Sequence, residues 1–330
     1  MTSADASQAA PDPRAAPAAP SVGVIYNPRS HRNQGRDLGL DVQTNIFVAQ
    51  PEGAARLKEA LEGFAARGID YLIVNGGDGT VRDVLTAGHD VFGDAWPDIA
   101  VLPKGKTNAL NVDLGAPPGW TIGAAIAAYA TGRRVVRHPI RVEALDGGRP
   151  AMLGFIFGAG AYTLGIRAGQ DAHRLGAFDS LAVGVTTAWG VLQALFGSDR
   201  NLWRRGVETT ISLGCEKTPL PHGPLGDPAR RHLMLISTLE RFPAGMKLFG
   251  DIRSGLKLVA MDHPKRELLL SIPAIVAGRV PAKAWDWGFH QIAADPIEIA
   301  IADEVILDGE AFPAGRYRLA SGPALRFVVP

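Results

Sequence analysis

Cysteine is almost absent from this sequence: Cys215 is the only one among its 330 residues. A single thiol cannot form an internal disulfide, so we expect a fold held by its core and a reducing compartment around it. An excess of charge is missing too, because 34 Lys and Arg residues stand against 33 Asp and Glu residues, for a formal net charge of +1. This balance gives no indication of nucleic-acid binding.

The first twenty residues contain no Leu, Ile, Val or Phe and are rich in Ala and Pro. They lack the apolar core of a signal peptide, so residues 1–20 are expected to be a disordered tail. Long apolar runs are scarce, and the uncharged stretch SLAVGVTTAWGVLQALFGS lies at 180–198. Its Ser, Thr, Gln and Gly residues favour a buried or groove-lining helix, with an interfacial helix and a membrane span as alternatives. We therefore expect a cytoplasmic protein that could be peripheral at the inner face of the membrane.

An alternation of short apolar runs with helical periodicity extends from Val22 to about His138. The runs VGVIY, YLIV and IAVL predict three short buried strands. Between the first two of these strands, the spacing of Leu57, Leu61, Phe64 and Ala65 predicts the inner face of a helix. Gly68 suits the residue just past the end of that helix. Strands alternating with helices predict a parallel sheet covered on both sides, with ligands beyond the carboxyl ends of the strands.

The pattern changes after about Pro139. The stretch MLGFIFGAG predicts a strand entering a glycine turn, and a helical region follows to about Arg205. Most of the remainder favours strands, namely ELLLSI, IEIAIA, EVILDGE, YRLA and LRFVVP. The fold class is therefore α/β: an N-terminal three-layer parallel-sheet lobe over 21–138 and a C-terminal β-rich, sandwich-like lobe over 139–314, with a cleft between them. The final strand, at about 315–330, is expected to return to the first lobe.

Two phosphate-type loops compete as the nucleotide site. The letters GKT at Gly105–Thr107 resemble the end of a Walker loop, G-x-x-x-x-G-K-[ST]. The first glycine of that pattern would be Ala100, which lies inside the apolar run IAVL, and Pro103 has no amide to donate. The Walker interpretation is therefore disfavoured.

The other loop, GGDGT at 76–80, directly follows an apolar strand. Gly76 and Gly77 allow backbone conformations that other residues avoid, and they let phosphates approach the main chain. Asp78 could organise magnesium, and Thr80 offers a hydroxyl group where the free amides of a helix start attract anions. An ordinary strand-to-helix turn with Asp as a cap is the structural alternative.

The order of several motifs resembles the diacylglycerol kinase catalytic-domain family, which includes bacterial lipid kinases and sphingosine kinases and is related to NAD kinases. GGDGT is similar to the hallmark of that family. The other matching motifs are NPRS at 27–30, LPKGKTN at 102–108, GAGA at 158–161 and LDGE at 307–310. GGDGT is the specific motif, and the resemblance extends over nearly the whole chain beyond the tail.

The resemblance implies ATP-dependent phosphorylation of a lipid hydroxyl group, with ATP and Mg²⁺ as cofactors. It implies that Asp308 is the general base and that Glu310 supports it. It implies a nucleotide site formed by Asn27, Arg32, Gly76, Gly77, Asp78, Gly79, Thr80, Gly105, Lys106, Thr107 and Asn108, with Asp78 near magnesium through Mg-ATP. Lys106 stands where the family has Thr, and RSGLK at 253–257 stands where relatives often have a metal-binding acidic pair.

Three functions stay open on these observations. The first is a kinase of a diacylglycerol-like or sphingoid lipid, which implies a lipid substrate and a transient membrane surface as partners. The second is a nucleotide- or lipid-binding protein without turnover, and the third is a kinase of a soluble substrate, as in NAD kinases. The sequence leaves a homodimer open and does not identify the lipid.

Overall fold

The computed structural model describes residues 19–33, 44–174 and 202–330. Most of the predicted tail and the whole uncharged segment at 180–198 lie outside these ranges. Within them, the helices are α1 (Ala54–Ala66), α2 (Asp78–Phe92), α3 (Ala109–Leu114), α4 (Ile122–Thr131), α5 (Ala161–Arg174), α6 (Leu202–Arg205) and α7 (Arg266–Val276). No helix of the described ranges is long and apolar enough to cross a bilayer.

The first sheet has the strand order β2-β1-β3-β4-β19-β5. Its strands are β1 (Val22–Tyr26), β2 (Ile46–Ala49), β3 (Tyr71–Gly76), β4 (Asp98–Pro103), β5 (Arg133–Arg137) and β19 (Leu325–Val329). All neighbours are parallel except β19 and β5, which are antiparallel. The predicted parallel sheet is therefore present, and a strand from the end of the chain lies between β4 and β5.

Helices cover this sheet on both faces. Along β3, Leu72 and Val74 belong to the core that includes α1 and α2, whereas Tyr71 and Ile73 pack in a second core with α4. This alternation is the period of two expected of a strand, and it makes the lobe three layers thick. The predicted inner face of α1 is correct for Leu57, Leu61 and Phe64, but Ala65 is exposed.

Two further sheets form the second lobe. The second sheet has the order β10-β9-β15-β18-β6-β7, with β11 paired to β9, and the third has the order β14-β13-β12-β8-β16-β17. The strands of the second are β6 (Ile140–Ala144), β7 (Met152–Gly154), β9 (Val207–Leu213), β10 (Thr218–Pro219), β11 (Arg230–Arg231), β15 (Ile297–Ile301) and β18 (Gly315–Ser321). Those of the third are β8 (Ile156–Gly160), β12 (Leu233–Ser237), β13 (Lys257–Met261), β14 (Phe289–Ala293), β16 (Val305–Leu307) and β17 (Glu310–Phe312).

The second and third sheets enclose a common apolar core. Val142, Ile299 and Leu319 from one sheet pack in the same cluster as Phe157 and Ile236 from the other. Two packed antiparallel sheets are a β-sandwich, so the predicted sandwich-like lobe is confirmed. Within the segment predicted to return to the first lobe, β19 lies in the first sheet and β18 in the second.

Two local predictions are wrong. ELLLSI is part of the helix α7, where Leu268, Leu269 and Ile275 are buried at a spacing that suits a helix face. MLGFIFGAG forms two strands, because the chain leaves β7 at Gly154, passes through Phe155 and enters β8 in the other sheet. Runs of consecutive apolar residues do not distinguish these alternatives.

Candidate functional site

Three loops at the carboxyl ends of β1, β3 and β4 meet at one edge of the first sheet. Asn27 Nδ2 donates a hydrogen bond of 2.8 Å to Thr80 Oγ1, which joins the first loop to the second. Gly77 and Gly105 join the second to the third: a Cβ atom on Gly77 would lie 2.8 Å from Gly105 Cα. A side chain at either position would push the loops apart, so this contact requires glycine on both sides.

The GGDGT loop opens the helix α2. Gly77 is the N-cap residue, and no side chain caps the helix there. The first amides of a helix have no intrahelical acceptor, so they are free to bind an anion unless a cap takes them. A cavity of about 840 Å³ lies at this end, and Gly77, Gly79, Thr80, Gly105 and Lys106 are among the residues that line it. Its geometry suits phosphate groups.

Asp78 belongs to the same loop but faces a different partner. Its Oδ1 accepts a hydrogen bond of 2.9 Å from the Ala109 amide, at the start of α3. Burial raises the pKa of Asp78, and the amides of Ala109, Asn108 and Leu110 oppose that rise. The Asp78 carboxylate therefore holds the third loop against the second, and Asp78 is not among the residues lining the 840 Å³ cavity.

Asn108 closes the third loop on itself. Its Oδ1 accepts a hydrogen bond of 2.7 Å from the Gly105 amide, and its Nδ2 donates one of 2.9 Å to the Gly105 carbonyl. Its backbone has a φ of 51°, in the left-handed region where asparagine is among the better tolerated residues. The loop PKGKTN therefore places Lys106 and Thr107 at the surface, with Lys106 at the cavity wall.

The cationic residues near the loops have distinct positions. Arg32 Nη1 donates to the carbonyl oxygens of Pro103 and Pro118, at 3.3 and 3.1 Å. The cavity wall instead contains Arg29 and His31. Arg32 therefore clamps the first loop to the third, and Arg29 and Lys106 bring positive charge to the cavity.

Asp308 lies in the turn between β16 and β17, at the edge of the third sheet. Its Oδ1 accepts a hydrogen bond of 2.8 Å from the Ile156 amide, and its Oδ2 accepts one of 3.0 Å from the Phe155 amide. Burial raises the pKa of Asp308 to about 7; the two amides and Arg82 oppose this rise, whereas the charge of Asp78 adds to it. A carboxyl group that titrates near neutral pH suits a general base.

The second lobe thus brings Asp308 near Asp78 and Arg82 of α2, and two residues that the sequence did not single out accompany it. Arg82 on α2 is buried, and its Nη2 is paired with Glu310 Oε2. Tyr162 lies at the start of α5, and its pKa is raised by burial and by the charges of Asp308 and Asp78. Gly158 makes room for Tyr162, since a Cβ there would lie 2.3 Å from the ring.

A second cavity, of about 750 Å³, adjoins the first. The two share Asn27, Arg29, Thr80 and Asp83 in their walls. The second extends between the end of β2 and α1 on one side and Arg82 and Glu310 on the other. No cluster of three or more His, Cys, Asp or Glu residues suited to a metal occurs among the described residues.

The chain is similar to known proteins over its first lobe and in its fold. Residues 21–138 match the diacylglycerol kinase catalytic domain. A probable lipid kinase YegS of Escherichia fergusonii is 27% identical over 106 residues, which are 30% of this chain and 34% of that protein. The YegS protein of Escherichia coli O1:K1 / APEC is 29% identical over 82 residues, or 25% of this chain and 26% of that protein. The matches thus span only about a third and about a quarter of the length of these two relatives.

Among solved structures, a diacylglycerol kinase from Bacillus anthracis str. Sterne aligns with a TM-score of 0.62 and 14% identity, covering 94% of this chain and 97% of that one. At this identity the alignment establishes the fold, which has the parallel sheet followed by a β-rich lobe. The family resemblance carried by the motifs is confirmed over residues 21–138, which match the diacylglycerol kinase catalytic domain.

Proposed function

We propose that this chain is an ATP-dependent lipid kinase, which transfers the γ-phosphoryl group of ATP to a hydroxyl group of a lipid. The observation that carries the proposal is the uncapped start of α2, where GGDGT meets the third loop at the 840 Å³ cavity. The match of residues 21–138 to the diacylglycerol kinase catalytic domain supports kinase chemistry. The relatives named as probable lipid kinases support a lipid as the acceptor.

The phosphate groups of ATP would lie in the 840 Å³ cavity, against the first amides of α2 and the side chain of Lys106. The nucleoside would extend into the 750 Å³ cavity, which shares four lining residues with the first and has a volume typical of small-molecule sites. Phosphoryl transfer depends mainly on positioning and on positive charge around the equatorial oxygens. Arg29 and Lys106 bring such charge to the site from two different loops.

Asp308 would accept the proton of the lipid hydroxyl group. Its amide partners fix the direction of the carboxylate, and a pKa of about 7 leaves a substantial part of it ionised at neutral pH. Glu310 would support it through Arg82, to which its carboxylate is paired. The acceptor base and the phosphate loops would thus come from the two different lobes.

Mg²⁺ is proposed to enter already bound to ATP. The sequence prediction placed Asp78 near that ion, but its Oδ1 accepts the Ala109 amide, and Asp78 does not line the cavity. The position of Asp78 near magnesium, through Mg-ATP, stays a prediction of the sequence. We assign Asp78 to the junction of the two loops.

The test is transfer of label from γ-labelled ATP, with magnesium, to a total bacterial lipid extract and to purified diacylglycerol, monoacylglycerol, sphingosine and ceramide. Wild type and Asp308→Asn are compared, and Asp303→Asn is the matched control because Asp303 is an exposed residue near the same turn. A labelled lipid that disappears only with Asp308→Asn supports the proposal and identifies the acceptor.

Two other results would replace the proposal. Label transferred to NAD in the absence of lipid would indicate a soluble acceptor. ATP binding without transfer to any acceptor of the panel would indicate a binding protein without turnover. Sedimentation with vesicles that contain the labelled lipid then tests the transient membrane contact that a lipid acceptor requires.

A further inference from the structure

Arg82 connects the two lobes at the candidate site. It lies on α2, two residues after Thr80, and its side chain is 8% exposed. Its Nη1 donates a hydrogen bond of 3.3 Å to the Leu307 carbonyl, and its Nη2 donates to Glu310 Oε2. One guanidinium group thus holds the residues on either side of the Asp308-Gly309 turn.

The same guanidinium is also fixed from its own helix. Arg82 Nη2 and Nε donate to Asp83 Oδ1 at 2.7 and 3.1 Å. The planar fork of arginine can make these contacts at the same time, which the ammonium group of lysine cannot do in the same geometry. The direction of the Arg82 side chain is therefore set by α2, and Arg82 in turn contacts both sides of the turn.

The charges around Arg82 explain why a buried cation is retained there. Burial opposes its charge, but the carboxylates of Asp83, Glu310 and Asp308 outweigh that effect, and the pKa of Arg82 is raised. In return, Arg82 lowers the pKa of Asp308, against the burial of that carboxyl group and the nearby charge of Asp78. The groups coupled to the charge of Asp308 are thus Asp78 and Arg82 from α2 and Tyr162 from α5, and Glu310 from β17 is joined to Arg82.

We propose that Arg82 is a positioning residue, which couples the phosphate-binding start of α2 to the Asp308–Glu310 turn and keeps the acceptor base in place for transfer. This inference rests on the proposed kinase function for its catalytic consequence. Its structural part, the coupling of nucleotide binding to the turn, is independent of the acceptor.

The catalytic test measures kcat, the KM for ATP and the pH profile of transfer for Arg82→Gln and Arg82→Lys. Arg82→Gln is expected to lower kcat about 100-fold with little change in KM, because the base is displaced. The ascending limb of its profile moves to higher pH, since the cation that favours ionised Asp308 is lost. Arg82→Lys keeps the charge without the fork, so kcat falls about tenfold while the limb stays in place.

Arg56→Gln is the matched control. Arg56 lies on α1 in an exposed ion pair with Glu59, outside the proposed site, and its loss should leave all three parameters unchanged. If Arg82→Gln does not fold, Arg82→Lys carries the test. A kcat within twofold of wild type for Arg82→Lys, or a folded Arg82→Gln variant with an unmoved pH limb, would overturn the proposal.

Hydrogen exchange separates this inference from the kinase proposal. A non-hydrolysable ATP analogue with magnesium should slow exchange in the peptide 305–312 of the wild type by about fivefold or more, and this slowing should be lost in Arg82→Gln. If no acceptor is ever labelled but this pattern is observed, the coupling stands and the kinase proposal fails. Equal slowing in both proteins, or none in the wild type, would refute the coupling.

Discussion

Replacing Asp308 by asparagine removes a carboxylate and leaves the backbone nearly undisturbed. Asp308 has a φ of 46°, a left-handed conformation that asparagine tolerates well. In the wild type the Phe155 amide donates to Asp308 Oδ2 at 3.0 Å and to Oδ1 at 3.2 Å, and the Ile156 amide donates to Oδ1 at 2.8 Å. With asparagine, the side-chain oxygen can keep both contacts of Oδ1, whereas the NH₂ group replaces Oδ2 and cannot accept from Phe155. Loss of that one hydrogen bond should cost about 1 kcal/mol of the free energy of unfolding.

The effect on transfer should be much larger than the effect on stability. A general base contributes on the order of 10²–10⁴ to the rate, so kcat of Asp308→Asn should fall by that factor. In the wild type, a pKa of about 7 for Asp308 leaves about a tenth of it ionised at pH 6 and about nine-tenths at pH 8. The rate should therefore rise about tenfold between these values, and the residual rate of the variant should not.

The contribution of Asp308 to the free energy of unfolding should change with pH in the opposite direction to the transfer rate, which provides an independent check. The folded state holds the Asp308 proton more tightly than the unfolded chain does, because the pKa of the group is raised on folding. Its contribution to the free energy of unfolding therefore falls as the pH rises from about 4 to 7, and Asp308→Asn removes this fall. Transfer assays and urea unfolding at matched pH values measure both. A variant with a kcat within threefold of wild type would refute the assignment of Asp308 as the base.

Three further predictions concern the loops and the core. Gly77→Ala places a Cβ 2.8 Å from Gly105 Cα and should weaken ATP binding about tenfold by calorimetry, whereas Gly123→Ala, with open space around it, should not. Asn108→Ala should lower the free energy of unfolding by about 2 kcal/mol, through its left-handed φ and lost hydrogen bonds, and a smaller loss for Asn108→Gly checks the backbone part. Burial lowers the pKa of Lys257 to about 8, so the free energy of unfolding should rise by about 2 kcal/mol between pH 8 and 10 as the folded protein no longer holds a buried charge there. Urea unfolding of Lys257→Met should not show this rise.

The first lobe was predictable because its elements are encoded locally. Apolar runs followed by turn residues marked β1, β3 and β4, and a spacing of four and then three residues marked the inner face of α1. Ala65 was misassigned because it lies about 80° around the helix from Leu57, at the margin of that face. Proximity of the loops followed from the parallel arrangement, since the carboxyl ends of such strands meet at one edge.

The errors in the second lobe have a different cause. Three consecutive leucines in ELLLSI satisfy a buried strand as well as a helix. Ile272 and Ile275 distinguish the helix from the strand, because they lie one and two turns after Leu268 and pack on the same core. A short window therefore could not decide the element, and the longer apolar pattern through Ile275 was the better indication.

Arg82 shows the limit of local reasoning at the site. The residues it holds, Leu307 and Glu310, are 225 and 228 positions away in the chain. The family resemblance identified Asp308 and Glu310, and the GGDGT loop identified the start of α2, but no periodicity connects the two. Their contact depends on how the third sheet packs against α2, which only the tertiary structure fixes.

The chain crosses between the lobes at two places that lie side by side. One crossing separates β5 from β6 and the other separates β18 from β19, and the Gly322 amide donates a hydrogen bond of 2.7 Å to the Pro139 carbonyl between them. The contact of Arg82 with Leu307 and Glu310 adds a further connection between the lobes, because it joins α2 to the edge of the third sheet. The two crossings and Arg82 are therefore among the contacts that set how far Asp308 lies from the loops of the first lobe.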